Sequence, residues 1–334
     1  MKAIQRVNAA PSGGSDHQKS ASPALGVGER LSCSRFRRVL LLVCMGALAA
    51  GTGAPVWAAI PTSERQVLLN LYVSTNGAAW GNNTGWNGAA GSECGWQGIT
   101  CDASETHVIE VALGYNFLSG SLPALDGLTA LQTFHVNDNS LTGPIPALQG
   151  LTALQFFDAT GNYLTGPIAA LSGMTTLISF QVTSNQLSGA IPALRNLPNL
   201  QLFYVNDNLL TGSIPPLDAL GALNILEVSY NQLTGSIPAL AALTQLSVFE
   251  AEFNHLDGTI PALTGLSQLE FVLLDHNQLT GPVPAPPIPN QLLDGSSTLC
   301  PNPLTPNASA TWDAATGITP WYSACDPIFQ NGFE

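Results

Sequence analysis

Glu227 and Glu250 stand 23 residues apart, and so do Glu252 and Asp275. Carboxylates at a constant interval form one compact cluster if the chain returns to the same place at that interval. Like charges held together raise at least one carboxyl pKa or recruit a cation, so the chemistry on offer is capture of a basic partner or of Ca²⁺. His255 and His276, with Asp257 and Asp275, have the residue types of a metal set, but the two histidines occupy different positions of that interval. His135 with Asp138 or Asp158 offers two members of a nucleophile, base and acid arrangement without a pocket to exclude water. GxSxG, a phosphate loop and a dinucleotide fingerprint are all missing. The expectation is a non-enzymatic protein with no cofactor and no metal.

The elements that position these carboxylates must be built with little charge. Of 334 residues 45% are apolar and 9% charged, with 32 Gly, 24 Pro and a formal charge of −13. This excludes a coiled coil and a solvated helical bundle. Basic residues concentrate at the start: beyond position 60 only Arg65 and Arg195 remain. Arg35, Arg37 and Arg38 precede an apolar run, Val39 to Ala50, and Val56-Trp57-Ala58 offers small residues at a cleavage site. Residues 1–58 therefore resemble a secretory signal peptide, with an apolar run too short to span a bilayer. Its removal leaves 2 basic against 20 acidic residues, since only Asp16 and Glu29 go with it, a net charge of −18. Nucleic acid is thereby disfavoured as a partner, and no integral membrane span is expected after cleavage. Four cysteines survive, and pairing by proximity joins Cys94 to Cys101 and Cys300 to Cys325.

The interval itself is the strongest signal. Asn116, Asn139, Asn162, Asn185, Asn208, Asn231, Asn254 and Asn277 recur every 23 residues without insertion, each followed by Leu two places on and Gly four places on. Eight such units span 108–291. In the unit starting at Leu131, Phe134 and Val136 alternate with Thr133, His135 and Asn137, the pattern of a short strand with one buried face. Asn139 follows at a turn, where its amide can satisfy backbone groups and contact the next Asn in a structural ladder. Gly143 permits a backbone that a Cβ forbids, Pro146 suits an extended stretch, and Leu148 and Leu151 return to the core. The unit LxxFxVxxNxLTGxIPALxxLxx resembles the plant-type leucine-rich repeat, one residue shorter. That resemblance implies a solenoid, horseshoe or superhelix. It would carry a parallel sheet on the concave side, 3₁₀ or polyproline turns on the convex side and a short helical N-terminal cap.

Both ends of a stacked core need covers. Residues 59–107 carry a predicted helix, Glu64 to Val73, then Trp80, Trp86 and Cys94-Gly-Trp96-Gln-Gly98-Ile-Thr-Cys101. The CxWxGxxC spacing resembles the N-terminal cap of plant-type ectodomains, and the preceding Trp/Asn/Gly-rich stretch resembles microbial members. The tryptophans are read as cap core. Prolines 286 and 289 stop the repeat, and residues 292–325, with Cys300, Trp312, Trp321 and Cys325, are read as the C-terminal cap. Residues 326–334 resemble a terminal sorting motif of exported Gram-negative proteins.

On the concave face the position between the two buried strand residues carries Asp158, Tyr204, Glu227 and Glu250 among its eight copies, and two residues on come Glu252 and Asp275. A second column holds Phe156, Leu202, Ile225, Val248 and Phe271, and Asp207 lies beside ladder residue Asn208. An apolar stripe flanked by acids suits a protein-binding patch. Phe156, Asp158, Tyr204, Asp207, Glu227, Glu250, Glu252, Phe271 and Asp275 are the expected binding residues. The partner is a protein or peptide, basic in character, or a polysaccharide. Resemblance to plant receptor ectodomains and polygalacturonase-inhibiting proteins implies a secreted or surface-displayed bacterial recognition protein, in host or cell–cell interaction. The alternatives are an inhibitor of a secreted hydrolase and an ice- or wall-binding surface.

Overall fold

The computed structural model describes residues 59–325. The expected signal peptide, 1–58, and the expected terminal motif, 326–334, lie outside the described residues. Nine strands form a long sheet. Eight are parallel: Val108–Ala112, Thr133–His135, Phe156–Asp158, Ser179–Gln181, Leu202–Tyr204, Ile225–Glu227, Val248–Glu250 and Phe271–Leu273. The ninth, Ile99–Cys101, runs antiparallel to Val108–Ala112 and covers the first edge. From Glu110 opposite Thr133 to Val248 opposite Phe271, partners are always one full repeat apart. Each coil therefore sets its residues directly over the same residues of the last. Phe134, Phe157, Phe180 and Phe203 follow as a buried stack with ring centroids 5.7, 5.3 and 5.9 Å apart.

The sequence reading expected only turns after the asparagine, but the segment forms a second parallel sheet. Its seven strands run from Ser119–Ser121 through Ser140–Gly143, Tyr163–Gly166, Gln186–Ala190, Leu209–Gly212 and Gln232–Ser236 to His255–Asp257. Here each partner falls two places short of a full repeat, as in Ser119 with Ser140, Thr142 with Tyr163 and Thr234 with His255. Gly143, Gly166 and Gly212 end their strands with φ of 76°, 79° and 76°. On the remaining side the leucines make successive one-turn bonds, such as the Leu151 N–H to the Leu148 carbonyl at 2.8 Å and the Leu154 N–H to Leu151 at 3.0 Å. These are 3₁₀-type turns that never lengthen; among the described residues, named 3₁₀ helices occur only in the two end regions.

The asparagines reconcile the two offsets. Asn208 Nδ2 donates to the carbonyls of Val182 (3.0 Å), Val205 (3.2 Å) and Asn206 (3.2 Å), and its Oδ1 accepts the Leu187 N–H at 2.9 Å. Val182 and Val205 are equivalents in adjacent coils, whereas Leu187 already belongs to the second sheet. The expected amide-to-amide contact is corrected here. Each side chain clamps backbone of two coils, because turn carbonyls and N–H groups use up its donors and acceptor. The ladder is also longer than eight. Asn302, two places beyond where a ninth repeat would set it, takes the Leu274 and Leu299 carbonyls at 2.7 Å each and accepts the Leu279 N–H at 3.0 Å.

Both ends are covered. Helix α1 (Thr62–Ser74) buries Val67, Leu68 and Leu71, and the buried Glu64 accepts the Val108 N–H at 2.8 Å. Trp80, Trp86 and Trp96 pack together, and their indole N–H groups go to Thr75, Gln97 and Ser92. The Asn116 amide, first in the ladder, bonds both backbone groups of Asn82. At the far end helix α2 (Ala310–Thr316) starts on a Ser309 cap, and Trp312 and Trp321 are buried with their N–H groups on the Pro284 and Asn307 carbonyls. Both disulfides, Cys94–Cys101 and Cys300–Cys325, are formed as paired from the sequence. Among the described residues no helix is long and apolar enough to cross a membrane.

Candidate functional site

Zero relative shift between strands makes sequence columns into physical rows. On the long sheet Asp158, Gln181, Tyr204, Glu227, Glu250 and Leu273 lie opposite one another on successive strands. Two residues earlier on each strand run Phe156, Ser179, Leu202, Ile225, Val248 and Phe271. The four apolar residues from Leu202 to Phe271 are contiguous and half-buried, while buried Ser179 separates Phe156 from them. Strand spacing of about 4.8 Å places Glu227 and Glu250 side chain to side chain.

The four acids expected together are together, but not alike. Glu252 is 9% and Asp275 8% exposed, so these two sit within the packing rather than on an open wall. Ser229 Oγ donates to Glu252, and Asp275 takes Thr298 Oγ1 on one oxygen and the His276 ring at 2.6 Å on the other. Neighbouring coils bring up hydroxyls at this position, which is why burial is tolerated. Glu227 and Glu250 have no ion-pair partner among the described residues. Burial, and then Glu250 and Glu252, push the Glu227 carboxyl up to about 7. Burial and Glu252 raise Glu250, and burial opposed by the Ser229 hydrogen bond still raises Glu252. The Tyr204 phenol is raised by burial and by the same two glutamates, Glu227 and Glu250.

Two expected members lie apart from this cluster. Asp158 is three strands from Glu227 and spends one oxygen on the Thr160 N–H at 2.9 Å. Asp207 lies at the exposed rim, in left-handed backbone at φ 56°, accepting from Ser184 Oγ at 2.8 Å. The rim also holds a feature the sequence reading missed. Tyr230, Phe253 and His276, each just before a ladder asparagine, stack at 4.5 and 4.0 Å between ring centroids. All three have φ of 52–53°, and Tyr230 is 51% and Phe253 37% exposed. Large side chains are strained there, and the same place in other coils holds Gly161 and Ser184. Aromatics recurring at the repeat interval were the available signal.

Among the described residues no three His, Cys, Asp or Glu side chains converge to hold a metal ion. Glu227 and Glu250 are paired carboxylates beside an apolar row, an arrangement able to bind a cationic group.

No protein-family model matches the chain, and no curated protein sequence does. Solved structures do. The leucine-rich-repeat ectodomain of the membrane receptor kinase GASSHO1/SCHENGEN3 from Arabidopsis thaliana, in complex with Casparian strip integrity factor 2, is 32% identical. Its TM-score is 0.65 over 72% of this chain and 30% of its own. The plant peptide hormone receptor RGFR1 in complex with RGF2 is 29% identical, with a TM-score of 0.57 over 64% of this chain and 35% of its own. A plant ice-binding protein, 23% identical with a TM-score of 0.54, matches 77% of this chain and 94% of its own. The chain thus spans about a third of the length of the two receptor ectodomains. Parallel coils of fixed period, an internal asparagine ladder and these neighbours agree: the chain folds as a leucine-rich-repeat solenoid.

Proposed function

We propose that this chain is a non-enzymatic recognition protein, secreted or displayed at a cell surface, that holds a protein or peptide partner on the long-sheet face between Leu202 and Asp275. The observation that carries this reading is a pair of half-buried carboxylates, Glu227 and Glu250, with no cation of their own among the described residues and beside a contiguous half-covered apolar row. Desolvated charge next to apolar area is completed by a basic, partly apolar partner. One structural neighbour is a peptide hormone receptor in complex with RGF2, which supports a peptide as the partner class. Two disulfides favour an oxidising location. The test is affinity capture from the surrounding medium with the full chain and with a Glu227→Lys/Glu250→Lys variant. Partners retained by the first and lost by the second are expected; identical capture by both overturns the placement.

A further inference from the structure

Three adjacent strands present a small grid on the long-sheet face: Leu202, Ile225 and Val248 in one row, Tyr204, Glu227 and Glu250 in the next. We propose, building on the reading above, that this grid is the seat of an arginine-bearing peptide segment. In it the guanidinium lies against the Tyr204 ring and bonds the Glu227 and Glu250 carboxylates, while the flanking apolar side chains cover the Leu202–Val248 row.

Among the described residues no basic side chain supplies the charge. Among the described residues the only Lys or Arg side chains are Arg65, paired with Glu93 and stacked on Trp96 in the N-terminal cap, and Arg195, exposed on a turn away from the strands. A metal ion is a poor substitute, since no three ligating groups converge among the described residues. A neutral sugar leaves two desolvated carboxylates uncompensated, and an acidic polymer is repelled by them.

Arginine is favoured over lysine by the shape of the seat. A planar fork can bond two carboxylates set one strand apart while its face rests on a neighbouring aromatic ring. The guanidinium also gives up water more readily than an ammonium, which matters where Glu227, Glu250 and Tyr204 are all partly desolvated. Because Glu227 holds a proton up to about 7, seating a cation there releases it, so affinity rises as pH is raised from about 5.5 to 8.

The experiment is selection of a displayed dodecapeptide library on the full chain at pH 7.5, followed by titration of synthetic selected peptides. Peptides with an arginine flanked by Leu, Ile, Val or Phe are expected. Citrulline in place of that arginine should weaken binding about 50-fold or more, and lysine about tenfold. Tyr204→Leu should erase the preference for arginine over lysine and Tyr204→Phe should keep it, with cooperative unfolding of each variant as the control. Glu227→Gln/Glu250→Gln should bind the arginine and citrulline peptides alike. Selected peptides that lack arginine, or an arginine-to-lysine ratio unmoved by Tyr204→Leu, overturn the proposal. If such peptides are nonetheless lost on Glu227→Lys/Glu250→Lys, the long-sheet reading stands without the arginine seat. If binding ignores that charge reversal, both fall.

Discussion

The long sheet meets itself after each full repeat and the second sheet two places sooner, although one repeat builds both. The slip decides what each surface can present. On the long sheet a recurring residue type becomes a row, as in the phenylalanine stack and in Tyr204, Glu227 and Glu250. On the second sheet the same recurrence becomes a diagonal. The threonine of LTG faces a different side chain in the next coil: Thr142 meets Tyr163, Thr211 meets Gln232 and Thr234 meets His255. A sequence column becomes a physical row only where the register offset equals the repeat length.

Three substitutions probe this contrast. The largest effect is expected at the junction of the offsets. Asn208→Leu strands the buried Leu187 N–H and takes one of two donors from each of the Val182, Val205 and Asn206 carbonyls, which keep Asn185, Asn231 and the Ser184 N–H, and chemical denaturation should show a loss of about 2–4 kcal/mol. A loss below about 1 kcal/mol would mean that strand pairing alone sets the two offsets. Next is Gly212→Ala, at the end of a second-sheet strand. Its Cβ would stand 3.6 Å from the Ala190 Cβ, so space is ample and only the left-handed backbone, φ 76°, resists. Thermal unfolding should report a cost of about 1–2 kcal/mol; no cost would show that the second sheet relaxes where the long sheet cannot.

The smallest effect is on the long-sheet face and has the opposite sign. The folded Glu227 pKa of about 7 lies above the ordinary carboxylate value, so the native state holds its proton more tightly than the unfolded chain. The Glu227 contribution to stability therefore falls as pH rises from the usual carboxylate range through about 7, and is level beyond it. Glu227→Gln removes that loss. Denaturation curves of the two proteins should nearly coincide at about pH 4 and differ by about 1 kcal/mol at about pH 8, the variant being the more stable. That figure is discounted because the carboxyl keeps access to solvent. Equal curves at both pH values would mean that Glu227 is hydrated like an ordinary surface acid.

Much of the fold is legible in the residues because burial imposes a simple period. Leu118 and its equivalents, the alternation around Phe134 and the asparagine column each mark positions that one coil cannot bury alone. The site is less legible. Asp158 and Asp207 share composition with Glu227 but lie three strands off and at the rim, and Glu252 and Asp275 read as outward acids yet sink among hydroxyls from neighbouring coils. Asn302 was hidden because the last coil is longer by two, and the Tyr230–Phe253–His276 stack because nothing local marks its left-handed backbone as a rim.

The coil, its length, its buried apolar residues and the pairing of its cysteines all follow from amino-acid order, since each depends on spacing along one chain. Which columns lie side by side, where the slip between the sheets falls and which carboxylates keep their water were settled only when coils met. Those properties belong to the interface between successive coils, where a backbone clamp such as Asn208 acts on residues of two repeats at once.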